Sequence, residues 1–194
     1  QYVELSQFRS VIATISTNGL ASFESAQQIE SLGQDYFTNL CLNWVADCFL
    51  DQARFDPLQQ AHTEQLIFDY LSSWLEALSN TPNINVEIEH LGRRHSVSLS
   101  RNALLEVLRP AVALITEAVD LEWPVILSHR YRIYPFELFN DLKQRAKLTV
   151  ASASAIFGTI DNQLSNILCE PEEVRYTREL AIVSTTPAEP ADGS

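Results

Sequence analysis

The sequence predicts an α/β domain whose strands pair in a mixed sheet. Runs rich in β-branched residues at 2–5 and 10–16, and runs at 84–88 and 96–99 in which apolar and polar residues alternate, read as strands. Longer stretches at 37–49, 66–78 and 104–118 carry apolar residues at helical spacing instead. The resulting order is β-hairpin, two helices, β-hairpin, helix, strand, helix, helix. It contains no internal repeat and no regular βαβ alternation, which leaves mixed pairing with flanking helices.

Each element has a local reason. Tyr2 to Leu5 and Ser10 to Ser16 are rich in β-branched residues, and Asn18-Gly19 favours a tight turn back along Leu20 to Glu24. From Gly33 to about Gln52, Phe37, Leu40, Trp44 and Cys48 mark a helix. Asp56-Pro57 reads as an N-cap acid followed by proline in the first helical position. The stripe Leu66, Ile67, Tyr70, Leu71, Trp74, Leu75 and Leu78 follows. Ser79 to Pro82 ends that helix. Ile84, Val86 and Ile88 form a strand that turns at Gly92-Arg93-Arg94 and returns through Val97 and Leu99. Ser100 is placed to cap a long helix that contains Pro110, which interrupts one hydrogen bond or kinks it. Trp123 to Leu127 reads as a short buried strand, Pro135 to about Arg145 as a helix, and Ser152 to Ile167 as a last helix. Tyr176 to Ser184 suits one added strand.

At 194 residues, with 46% hydrophobic and 20% charged residues, one domain with a sizeable core is expected. No apolar run reaches the roughly 20 residues of a membrane span. The first residues, QYVELSQFRS, lack a signal-peptide pattern, so membrane insertion is not expected. Cys41, Cys48 and Cys169 are odd in number; the first two lie about two helical turns apart, too far to bridge. Packed thiols in a reducing, cytoplasmic compartment follow. His62, His90, His95 and His129 show no ligand spacing, so no metal site is expected. No nucleophile elbow occurs.

The net charge of −12 argues against nucleic-acid binding. Residues 1–90 hold 2 basic and 12 acidic side chains, residues 91–147 hold 9 and 6, and residues 148–194 hold 2 and 7. The middle region is either a solvated mixed face or a contact for an acidic partner or anion. Residues 168–194 read as an acidic, proline-containing tail or linker, with the last ten residues disordered in composition.

The most unusual stretch is VILSHRYRIYP, Val125 to Pro135. In an α/β protein the end of a buried strand before a helix is where phosphate commonly sits on glycine-rich backbone. Here there are no glycines. His129, Arg130, Tyr131, Arg132 and Tyr134 are candidates for contact with a partner or an anion. The alternative is that the aromatics pack under the loop while the arginines pair with Glu122, Glu137 or Asp141.

Several stretches together resemble one family. Leu32-Gly33-Gln34-Asp35-Tyr36-Phe37 is similar to a Leu-Gly-Gly-Glu-Asp-Phe helix entry. Ser79 to His90 is similar to a Ser-rich turn and strand, and Val97-Ser98-Leu99-Ser100-Arg101 to a strand-to-helix step ending Ser/Thr-Arg. Val125 to Pro135 matches in length a Val-Ile-Leu-Val-Gly-Gly-x-Ser/Thr-Arg-x-Pro segment. In order, these resemble the second lobe of the nucleotide-binding domain of seventy-kilodalton heat-shock chaperones, in the actin-like ATPase superfamily. The resemblance covers residues 1 to about 167. It implies a ribonuclease H-like mixed sheet with flanking helices and a small helical and hairpin subdomain inserted at 33–100. The first lobe is not part of this sequence.

The resemblance also implies where nucleotide would bind, and those positions are altered. The phosphate loop Asp-x-Gly-Gly-Gly-Thr falls on Glu4-Leu5-Ser6-Gln7-Phe8-Arg9, where Gln7 and Phe8 are expected to fill the space of phosphate. The adenosine clamp falls near Ser72, Leu75 and Ser79, with only Ser79 retained; Gly33 and Gln34 hold the glycine-pair entry. The glycines beside adenine fall on His129 and Arg130, the following arginine near Arg132 or Ile133, and a late acid near Ser152. Glu4, Asp35 and Asp161 could be written as an acid cluster, but without phosphate-binding glycines they read as ordinary carboxylates. The expectation is a pseudo-ATPase without cofactor, acting as a chaperone-like interaction or scaffold module for a protein partner. The alternative is half of a working ATPase that holds ATP and magnesium against a lobe I from another chain, or from the same longer chain.

Overall fold

The computed structural model describes residues 1–18, 20–154, 158, 160–161 and 179–181. The chain is mixed α/β, with one six-stranded sheet, one two-stranded sheet and helices flanking them. Strands β1 (Tyr2–Leu5), β2 (Arg9–Thr17) and β3 (Leu20–Glu30) form an antiparallel meander. Helix α1 (Gln34–Ala53) and helix α2 (Ala61–Asn80) follow, then the hairpin β4 (Asn83–His90) and β5 (Arg93–Ser100). Helix α3 (Arg101–Ala118) leads to β6 (Val125–Leu127), two 3₁₀ turns, α4 (Asn140–Arg145) and β7 (Leu148–Val150). Finally β8 (Glu179–Ala181) pairs with β3.

The sheet order is β7-β6-β1-β2-β3-β8, with β1, β6 and β7 parallel and the other pairs antiparallel. Strand alternation puts Val3, Leu5, Ile12, Val125 and Leu127 on one face, where they join Phe37, Cys41 and Val45 of α1 and Leu104, Leu108 and Ile115 of α3 in one core. Alternate residues on the opposite face, among them Ile15, Phe23 and Ile126, remain substantially exposed.

The helical stripes pack as their spacing predicts. Phe37, Cys41, Trp44, Val45 and Phe49 are buried along α1, and Ile67, Leu71, Leu75 and Leu78 along α2. Tyr70 faces outward and stacks on half-buried Trp74 instead. Pro110 sits inside α3, which nevertheless runs to Ala118.

Local chemistry corrects several expectations. Asp56 does cap, accepting from the Leu58 amide at 3.0 Å, but it starts a 3₁₀ turn at Pro57–Gln59, and α2 begins later, at Ala61. Ser100 occupies the N-cap of α3 without a side-chain bond to the helix. β2 ends at Thr17 and β3 starts at Leu20, and the last β2–β3 pair is Thr17 with Ala21. The second hairpin turns at Leu91-Gly92, both at positive φ (50° and 72°), the two-residue geometry that matches strand twist. Trp123 stands outside the strand it was expected to start and is 58% exposed. The segment from Pro135 divides into a 3₁₀ turn, Phe136–Phe139, and the short α4. Of the expected last helix, residues 153–154, 158 and 160–161 are described and are helical; its other residues from 155 on, Cys169 and most of the acidic tail lie outside the described residues.

The β4–β5 hairpin is joined to α1 by an aromatic wedge. Phe55, just past the α1 terminus, stacks on His95 with ring centroids 4.0 Å apart and lies 5.6 Å from His90. Both histidines extend the inner row that holds Val86, Ile88, Val97 and Leu99. The two imidazoles therefore meet through a phenyl ring.

No helix among the described residues is long and apolar enough to cross a membrane.

Candidate functional site

Three segments converge at the carboxyl end of β1: the β1–β2 turn at Ser6-Gln7-Phe8, the entry to α1 at Gly33-Gln34, and the 3₁₀ turn His129–Ile133 after β6. The sheet brings them together, because β1 is flanked by β2 on one side and β6 on the other. The Ser128 amide donates to the Val3 carbonyl at 2.8 Å, continuing the β1–β6 ladder to the edge of the turn.

The turn is closed on itself and on the helix. The Ser6 amide donates to the Arg9 carbonyl at 3.0 Å. At the start of α1, the amides of Gln34 and Asp35 donate to the carbonyls of Ser6 and Gln7 at 2.8 and 3.0 Å. First-turn amides have no partner within their own helix and are the usual place to receive an anion. Here two of them are occupied by main chain. Gly33 makes the contact possible: a Cβ there would lie 2.3 Å from the Arg9 nitrogen and the Phe8 carbonyl carbon.

The expected filling of this space by Gln7 and Phe8 is not what the structure has. Gln7 and Phe8 do not fill an inner space; both project outward, with Phe8 67% exposed. The main chain of the turn, not its side chains, takes up the helix entry.

The segment His129 to Tyr134 divides into buried and exposed residues. Tyr131 and Tyr134 are core residues, which corrects their assignment to an exposed contact. Tyr131 meets Phe37 and Phe139 edge-on, and Tyr134 lies 5.4 Å from Phe37. The Tyr131 hydroxyl lies 3.5 Å from Ser10 Oγ, which donates to the Leu32 carbonyl at 2.6 Å. Burial pushes the phenol of each tyrosine above its usual range. His129 is half-buried, and its Nδ1 is a buried atom without a hydrogen-bond partner among the described residues.

Arg130 faces a partner that the sequence reading did not name. Its guanidinium lies 3.3 Å from Glu4 and donates to the Leu5 carbonyl at 2.7 Å. Glu4 also accepts from the Tyr2 hydroxyl at 2.6 Å, and burial first, then this bond, raises the Tyr2 phenol. Glu137 pairs with Arg101 at 2.6 Å and Asp141 with Arg145, so neither serves the 129–134 segment. Arg132 is exposed and makes no ion pair among the described residues. Ser79 donates to the Leu75 carbonyl at 3.0 Å and reaches the Ile133 carbonyl at 3.3 Å, fastening α2 to the turn.

A pocket of about 360 Å³ opens between the end of α2 and this turn, lined by Ser79, Arg132, Tyr134, Phe136, Glu137 and Val150. Of its polar side chains, Ser79 and Glu137 are bonded within the fold, while Arg132 makes no ion pair among the described residues. Glu4, one of the three carboxylates singled out in the sequence, is tied to Arg130. No group of three or more metal-ligating side chains occurs among the described residues. Ser10 was missed by sequence reasoning. The available signal was its polarity at an inward position of an alternating strand, where a buried hydroxyl needs a partner.

Neither a protein-family model nor a curated protein matches this chain.

Proposed function

We propose that the chain is a non-catalytic protein-interaction or scaffold module, built on the second lobe of a chaperone-type, actin-like ATPase domain that has lost nucleotide binding. The fold side of this reading is supported by a meander, β1 to β3, continued by the parallel strands β6 and β7, as in a ribonuclease H-like mixed sheet. The observation that carries the functional side is the use of the Gln34 and Asp35 amides by the Ser6 and Gln7 carbonyls. An anion at that helix entry would have to displace two hydrogen bonds of the fold. The resemblance puts paired glycines where His129 and Arg130 stand, which acts in the same direction. Arg132, exposed and without an ion pair among the described residues, is the candidate contact for a protein partner, and a lobe I from the same longer chain is one form such a partner could take.

The pocket beside Ser79 and Arg132 favours a second reading, half of a working ATPase, since the resemblance puts adenosine there. A thermal-denaturation titration with ATP, ADP and magnesium separates the two. A nucleotide at a hundred times its dissociation constant would stabilise the fold by about 2.7 kcal/mol. We expect an unchanged midpoint. A saturable rise that Arg132→Ala removes would establish the second reading in its place.

A further inference from the structure

We propose that the turn of the β4–β5 hairpin docks into the hollow beside Trp123 on a second copy of this chain. Leu91, in that turn, is 89% exposed and holds φ at 50°. A bulky side chain rarely adopts that conformation, and asparagine or glycine would take it at less cost. Leu91 thus contributes little packing to its own chain and strains its backbone. Gly92 beside it stands in open space. Arg93 and Arg94 follow, both exposed; Arg94 lies 3.6 Å from Glu87, and Arg93 makes no ion pair among the described residues. The base of the hairpin is braced by Gln52 against Ser98 and by Phe55 against His95. One apolar side chain flanked by two cations is therefore held out on a fixed support.

The hollow has the complementary character. It measures about 320 Å³, is mainly apolar, and is lined by Ile15, Trp123, Pro124 and Ile126 among others. Ile15, Trp123 and Ile126 are all left open to solvent. Carboxylates stand beside it: exposed Glu122 precedes Trp123, and exposed Glu24 accepts from the hydroxyl of Ser16, a lining residue. The Gln1 ammonium at the same rim is held by the Pro124 carbonyl. An aliphatic knob with cations thus matches an apolar recess with anions. The net charge of −12 opposes an anionic membrane or nucleic acid as the occupant and makes the protein itself an acidic partner.

Because the two patches differ, the contact is heterologous. Each chain offers its turn to one neighbour and its hollow to another, so assembly continues past the dimer unless a ring closes. A contact the size of one hairpin turn belongs to the small, transient class, and association emerges only as concentration rises. Neither patch includes Arg132 or its pocket, so docking is independent of nucleotide.

Sedimentation velocity at low salt, over rising concentration, tests this with wild type, Leu91→Asn and Trp123→Arg. Leu91→Asn removes the knob while suiting the turn, and Trp123→Arg places a cation in the hollow. We expect the wild-type sedimentation coefficient to climb beyond that of a dimer and each variant to stay monomeric. An equimolar mixture of the two variants should form a dimer and stop there, since one keeps the hollow and the other the knob. Added salt should weaken the association several-fold by screening the arginines. A wild type that stays monomeric up to its solubility limit would overturn the proposal, as would association that survives in either variant or a mixture that forms no dimer. Wild-type binding to anionic vesicles that Leu91→Asn abolishes, without self-association, would assign the turn to a lipid surface instead.

Discussion

The side chain of Gln52 bonds to both main-chain groups of Ser98, accepting from its amide at 2.9 Å and donating to its carbonyl at 3.0 Å. A glutamine at the end of α1 thus behaves toward β5 as a neighbouring strand would. Gln52→Ala should leave both groups to water and cost about 1 kcal/mol, since the site is exposed and each bond is worth little net. Urea denaturation measures the loss. The same variant uncovers part of a strand edge, so slow self-association by light scattering should accompany it.

Gly33→Ala should be the most damaging small substitution near the site. The added methyl would meet main chain at 2.3 Å, and neither the turn nor α1 can yield without breaking the Gln34 and Asp35 bonds. A loss of about 3 kcal/mol or more is expected, the upper range for overpacking. Because φ at Gly33 is −104°, the effect is steric and not conformational. Near-wild-type stability would mean that the turn is free to move.

Arg130 and Arg132 should separate in their effects. Removing the Arg130 guanidinium leaves Glu4 and the Leu5 carbonyl without their cation, and Arg130→Ala should cost about 1 kcal/mol after discounting for its 41% exposed side chain. Arg132→Ala should leave stability unchanged within about 0.5 kcal/mol. Paired unfolding curves decide this. Equal losses would reject the assignment of Arg130 to the fold.

Alkaline conditions should unfold the domain. Burial raises the Cys41 thiol from 9 to about 12, and raises the Tyr131 and Tyr134 phenols from their ordinary 10. These groups stay protonated in the folded chain while the unfolded chain releases their protons. Their contribution is fully present below about pH 9 and is lost as pH rises, by about 1.4 kcal/mol per pH unit for each group ionised only in the unfolded chain. Denaturant midpoints at about pH 8 and about pH 10.5 measure the slope. Tyr131→Phe should make it shallower.

The elements were legible where the pattern is local. Ile84, Val86 and Ile88 announced β4 by alternation, and the α1 and α2 stripes announced their buried faces. The meander could be read from β-branched runs, although the register placed its closure at Ala21. Partner choice over long distances was not legible. Arg130 has several carboxylates within a short stretch of sequence, yet pairs with Glu4, because the parallel β1–β6 pairing puts the start of the chain beside it. The burial of Tyr131 and Tyr134 was one of the two readings that the sequence left open. An Arg-Tyr-rich segment has the composition of a surface, and only the 3₁₀ turn rotates every tyrosine inward and every arginine outward.

The central place of β1 governs how this protein is made. Its four residues leave the ribosome well before Val125 to Leu127 exist, yet Tyr2 and Val3 must lie beside Ile126 and Leu127. The β1–β3 meander can pair early but keeps an unsatisfied flank until that late strand arrives. A truncated chain ending before residue 125 should emerge as a sticky, incomplete intermediate, and chaperone demand during synthesis should fall only once β6 has been translated.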